Sequence, residues 1–178
     1  MHFRNFPFFI QYFLLPSLLF GFGFLTLAAQ ETINPKFEKK VESLIDHSIP
    51  TINSPTLYKK TATPNLYILD ARESAEYQVS HLKGALHIGY DHFNAMKVLR
   101  IPKDAILVVY CSVGYRSEKI GEKLKALGFS KVYNLYGGIF EWSNRGYPLV
   151  DQKEQPTTKV HAFNKDWGRW LEQGTKVY

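Results

Sequence analysis

Residues 105–110 read Ala-Ile-Leu-Val-Val-Tyr. A strand with one wet face alternates apolar and polar side chains, whereas an unbroken apolar run needs cover on both faces. This run is too apolar for a sheet edge and is read as a buried central strand. Other β-like runs are Leu66 to Leu69 ending at Asp70, the short Ala-Leu-His-Ile-Gly at 85–89 and Lys-Val-Tyr-Asn-Leu at 131–135. Helical patterns lie between them. One covers residues 74–81, with Ser74 as its cap. A second covers 91–100, with Phe93, Met96 and Leu99 on one side and Pro102 as its stop. A third covers 116–128, with Ile120, Leu124 and Leu127 inward and Gly128 closing it. A turn and a short helix follow at 137–146. Strands alternating with helices predict an α/β fold: one domain with an open parallel sheet flanked by helices on both faces.

The flanks depart from this rhythm. Residues 1–29 carry His2 and Arg4, then a long apolar stretch, then Ala28-Ala29, and no acidic residue precedes Glu31. That layout predicts a signal peptide and an exported protein, periplasmic or secreted. The alternative is an uncleaved membrane anchor, because the apolar stretch approaches the length of a span. Residues 30–150 form the domain, opening with a helix that puts Phe37, Val41, Leu44 and Ile45 on one face. Residues 151–178 form an extension in which Phe163, Trp167, Trp170 and Leu171 could share one helical face, expected to pack back on the domain. The net charge of +6 comes from scattered lysines, with no basic run that reads as a nucleic-acid arm. A mild positive field also favours a small anionic substrate.

The chain has a single cysteine, Cys111, directly after the apolar strand and directly before a helix. One cysteine closes no internal bridge, so in an exported protein it points to a reactive thiol or an intermolecular partner. Ligands of open α/β sheets bind beyond the carboxyl ends of the strands. Helix-start N–H groups there stabilise a thiolate, and such cysteines can ionise well below the usual thiol range. Gly114 allows the loop to curl with its amides inward, a nest for an anion. Arg116 adds a planar fork suited to an oxyanion. Together these residues describe a nucleophile with an anion cradle. The six histidines show no metal-ligand spacing with carboxylates or further cysteines.

The stretch Cys-Ser-Val-Gly-Tyr-Arg-Ser, residues 111–117, resembles the active-site loop of the rhodanese family, Cys-x-x-Gly-x-Arg-Ser/Ala. Upstream, residues 69–88 resemble the family's Asp-x-Arg, Glu-aromatic and Gly-His-Ile/Leu-x-Gly-Ala motif, with Asp70, Arg72 and Glu76 on the matching positions. Ser80 and Lys83 depart from it, standing where Gly and Pro are usual. Downstream, residues 135–149 resemble the closing Gly-Gly…Trp…Gly-x-Pro motif. The three motifs occur in the expected order from about Leu66 to Val150.

The resemblance implies sulfurtransfer without metal or organic cofactor. The Cys111 thiolate would take the outer sulfur of a donor such as thiosulfate and pass it to cyanide, a thiol or a protein acceptor. Loop positions Ser112, Val113, Gly114, Tyr115, Arg116 and Ser117 would bind the donor, with Arg116 meeting the departing sulfite or orienting the loop. Arg72 has two readings: a substrate or loop-positioning role, or an ion pair with Asp70 or Glu76, and the ion pair is preferred. His81 reads as a hydrogen-bonded structural residue, Gly137 and Gly138 as turn formers and Trp142 as core. Two other functions compete. Phosphatases and arsenate reductases of this fold use Cys-x5-Arg, whereas four residues separate Cys111 from Arg116 here. A noncatalytic docking module would not need the cysteine, glycine and arginine together.

Overall fold

In chain order the computed structural model contains α1 (Pro35–Glu42), β1 (Thr51–Ile52), α2 (Ser54–Lys60), β2 (Leu66–Asp70), α3 (Ser74–Val79), β3 (Leu86–His87) and a 3-10 turn (Ala95–Val98). There follow β4 (Ile106–Tyr110), α4 (Tyr115–Ala126), β5 (Lys131–Leu135), α5 (Gly138–Asn144), β6 (Leu149–Val150), β7 (Pro156–Thr157), β8 (Lys159–His161), α6 (Lys165–Gly168) and β9 (Thr175–Val177). The structure describes residues 32–178, so the segment expected to act as a signal or anchor lies outside the described residues. Among the described residues no helix is long and apolar enough to cross a membrane.

Five strands form one parallel sheet in the order β1-β5-β4-β2-β3. β4 is central, as its composition requires. Its residues divide between two apolar cores: Val108 and Tyr110 enter one, Leu107 and Val109 the other. The first core is completed by Phe37 and Val41 of α1, Leu57 of α2 and Ile139, Phe140 and Trp142 around α5. The second is completed by Ile120 and Leu124 of α4 with Val98 and Ile101. Helices thus cover both faces of an α/β sheet.

Three local expectations change. The cap of α3 is Glu73, not Ser74: Glu73 has extended backbone, and its N–H donates to Glu76 Oε2 at 3.0 Å. A carboxylate three residues into the helix closes the box and leaves Ser74 as the first helical residue. The helix expected over 91–100 is only a 3-10 turn. Val98 and Ile101 face the core, while Met96 and Leu99 are exposed. Both sets repeat every three residues, so spacing alone did not say which was inward. Leu127, expected inward, is on the surface because α4 has ended beside it.

The last residues build no single helical face. Only four of them are helical, and β8 pairs with β9 in parallel. Val160, Ala162 and Leu171 are buried in the first core, and Trp170 stacks on Phe37 with ring centroids 5.8 Å apart. Asn144 at the end of α5 holds this segment: its Nδ2 donates to Trp170 O at 2.9 Å, and its Oδ1 accepts from the N–H groups of Glu172 and Gln173. Phe163 takes no part in the core and is half exposed.

Candidate active site

β4 delivers Cys111 to the carboxyl edge of the sheet, where the Ala71 N–H still donates to Tyr110 O at 2.8 Å. The chain then turns over the start of α5. Cys111 O accepts from Ile139 N–H at 2.9 Å and Ser112 O from Phe140 N–H at 3.1 Å. This approach requires glycine at 138, where φ is +55° and a Cβ would lie 2.3 Å from Cys111 O. Gly138 therefore does more than shape a turn: it lets α5 grip the cysteine loop.

Gly114, at φ +128°, starts α4 and points its N–H at Cys111 Sγ, 3.1 Å away. The first-turn N–H groups of α4, at Tyr115, Arg116 and Ser117, open toward the same end of the helix, where no intrahelical carbonyl can meet them. Gly114 O is pinned by Asn134 Nδ2 at 2.9 Å, and Ser117 Oγ donates to Asn134 Oδ1 at 2.7 Å. Asn134 was missed by the sequence reading. Its only signal is a polar residue in an otherwise apolar stretch of β5.

Arg116 is engaged rather than waiting for an anion. Its Nη1 and Nη2 donate to Glu76 Oε2 and Oε1 at 2.7 and 2.8 Å, and Nη2 also donates to Ser112 Oγ at 3.1 Å. Ser112 Oγ donates in turn to Glu76 Oε1. Burial alone would push the Glu76 carboxyl up, but the hydrogen bonds and charge of Arg116, with Arg72 behind, bring it down to about 2. The oxyanion that the Arg116 fork meets in this structure is thus the protein's own carboxylate. Glu76 does not pair with Arg72.

Arg72 is wholly buried and pairs with Asp70, its Nη2 donating to Asp70 Oδ2 at 2.7 Å and to Ser80 O. Neither Arg72 nor Asp70 lines the cavity above Cys111. His81 is structural: Nδ1 lies 3.0 Å from Tyr77 O, Nε2 lies 3.1 Å from Glu154, and the ring stacks on Tyr77. Trp142 is buried in the first core.

Above the thiol is a cavity of about 350 Å³. Cys111, Ser112, Val113, Tyr115 and Arg116 of the loop and helix start line it together with the apolar side chains of Leu44, Phe163 and Trp167. The sequence reading placed Leu44 on an inward helical face and the two aromatics on a packing face. The Phe163 ring centroid lies 5.7 Å from the Arg116 guanidinium carbon.

The rhodanese-like domain family matches residues 54–145, just over half of the chain. The chain belongs to the rhodanese-like family. Relatives include the tRNA uridine(34) hydroxylases of Enterobacter sp. (strain 638) and Salmonella arizonae, 36% and 38% identical over 87 residues. Those matches cover 46% of this chain and 25% of each relative, so the chain corresponds to about a quarter of the curated relatives' length. Among solved structures, a rhodanese-related protein from Thermoplasma volcanium is 29% identical with a TM-score of 0.51, covering 57% of this chain and 98% of its own. The thiosulfate sulfurtransferase of Pseudomonas aeruginosa shares the fold at 22% identity and a TM-score of 0.54, over 76% of this chain and 25% of its own. Leu44, Phe163 and Trp167 lie outside the rhodanese-like segment, whereas Cys111 to Ser117 lie within it.

The Glu76–Arg116 pair makes the rhodanese-like core acid-sensitive. A carboxyl held near 2 in the folded chain and near 4.5 when unfolded contributes stability that is complete above the unfolded value. It is lost as pH falls through that window, about 3 kcal/mol in all. Urea unfolding between pH 6 and about pH 2 should show this loss, and Glu76→Gln should flatten that part of the curve. Equal acid dependence in both proteins would refute the assignment.

Proposed function

We propose that the protein is a sulfurtransferase carrying sulfane sulfur on Cys111. The observation that carries this reading is the Gly114 N–H directed at Cys111 Sγ, at the start of α4 and in the lining of a cavity. The Cys111 thiolate attacks the outer sulfur of a sulfane donor. Its electron pair forms the new S–S bond, and the donor's S–S bond breaks with its pair leaving on the remainder, sulfite when the donor is thiosulfate. The persulfide's outer sulfur then sits among the amides at the start of α4, which favour negative charge there. An acceptor thiolate or cyanide removes that sulfur and returns Cys111 to its thiolate.

Arg116 acts as a positioning residue in this scheme, since Glu76 and Ser112 tie it to the loop. No observation favours a second reading. The four-residue spacing and the carboxylate-locked arginine argue against a cradle for a phosphate ester. The hydroxylases' name gives none either, because the shared stretch is a quarter of their length.

Intact-mass measurement after incubation with thiosulfate or an organic thiosulfonate should show one added sulfur atom, absent in Cys111→Ser and removed by cyanide. Failure of every sulfane donor to load Cys111 would overturn the proposal in favour of a docking module.

A further inference from the structure

We propose that the segment after the rhodanese-like stretch turns this site into one selective for organic sulfane donors, an apolar ring-sized group carrying the reactive sulfur. This inference rests on the sulfurtransferase reading of Cys111. It starts from where the cavity wall comes from. The family loop supplies the thiol and its amides, and Leu44, Phe163 and Trp167 supply an apolar wall from outside the family match.

Phe163 is placed there at a cost. Its φ is +64°, a region uncommon for bulky side chains, and the residue is 52% exposed rather than packed in a core. The turn that forces this is closed by the Phe163 N–H donating to His161 Nδ1 at 3.1 Å and by Asn164, whose Oδ1 accepts from Trp167 N–H at 3.0 Å. Backbone strain of this kind persists where surrounding structure over-determines it and gathers at ligand sites.

Charge points the same way. Among the described residues lining the cavity, Arg116 is the one basic side chain. Its fork is occupied by Glu76, and the Phe163 ring lies beside its guanidinium. Inorganic thiosulfate is a dianion and must leave water for a cavity in which the Arg116 cation is already neutralised. A thiosulfonate, R–SO2–S⁻, brings a single negative charge to the α4 amides and an apolar R to the Leu44, Phe163 and Trp167 wall. The volume, about 350 Å³, is at the small end of ligand sites and suits a ring with its sulfur group. The step balances: Cys111–S⁻ and R–SO2–S⁻ give Cys111–S–S⁻ and R–SO2⁻, with no external oxidant or reductant.

The test compares benzenethiosulfonate with methanethiosulfonate, which differ only in R, in the full chain and in Phe163→Ala, with Trp167→Ala as a second variant. The ratio of kcat/KM for the two donors should fall roughly tenfold in Phe163→Ala relative to the unaltered chain. Comparing this ratio between proteins cancels the donors' intrinsic reactivity, and thermal melts check that both variants fold. An unchanged ratio, with Cys111 still loaded, overturns the inference and leaves the sulfurtransferase reading intact. If no donor loads Cys111, the sulfurtransferase reading fails instead. The wall is then tested alone by calorimetry with Cys111→Ser: benzenesulfinate should bind more tightly than methanesulfinate, and Phe163→Ala should remove the difference. Equal binding of the two sulfinates would overturn it.

Discussion

Gly138→Ala should destabilise the protein by about 4 kcal/mol and slow sulfur loading of Cys111 on the order of 100-fold. The added Cβ would sit 2.3 Å from Cys111 O and 2.7 Å from Ser112 C and O, all main-chain atoms that cannot rotate away. Relief requires the loop and the start of α5 to separate. That separation breaks the hydrogen bonds from Ile139 to Cys111 and from Phe140 to Ser112. Alanine also bears the cost of φ +55°, a term that exists at any glycine of this conformation. Gly84→Ala isolates that term, since Gly84 has φ +76° and nothing within 4 Å of the added carbon. Chemical denaturation of both variants, with loading rates by mass spectrometry, separates collision from strain. Equal losses in the two would mean that α5 does not position the cysteine loop.

Asp70→Asn should cost about 3–5 kcal/mol, a large share of the stability of an ordinary domain. Asp70 and Arg72 both have side chains with no solvent exposure, and the aspartate takes Arg72 Nε and Nη2 as well as the Arg72 N–H. An arginine cannot shed its proton, so loss of the carboxylate leaves a positive charge buried without a counter-ion. Arg72→Met should be milder, because a stranded aspartate can take up a proton. Asp70→Leu combined with Arg72→Met should be more stable than Asp70→Asn, since it removes the charge together with its desolvation cost. Urea unfolding at neutral pH, followed by tryptophan fluorescence, ranks the three. A double variant as unstable as Asp70→Asn would show that the pair is worth more than its desolvation.

The fold was legible because its signals are local. An unalternating run such as Ile106–Tyr110 can be satisfied only by a strand with apolar cover on both sides, and the division of Leu107 and Val109 from Val108 and Tyr110 between two cores is that condition met. The apolar run before Cys111 and the helical pattern after it likewise placed the thiol at a strand end before a helix start. Spacing failed where two registers were equally good, as at Val98 and Ile101 against Met96 and Leu99. It also failed where a cap depended on a side chain three residues on, as with Glu73 and Glu76.

By itself, the sequence determined the alternation of strands and helices around the central strand, the rhodanese-like loop and the position of its one thiol, because each is set by neighbours along the chain. Only the tertiary structure decided which partner each buried charge takes. It gave Glu76 to Arg116 and Asp70 to Arg72, a choice set by distances across 40 and two residues of chain. Only the tertiary structure, too, brought Leu44 and Phe163 to the cavity of Cys111 from outside the family segment. Apolar residues in a sequence carry no mark of whether they will fill a core or wall a cavity. That is fixed by what the rest of the chain leaves uncovered.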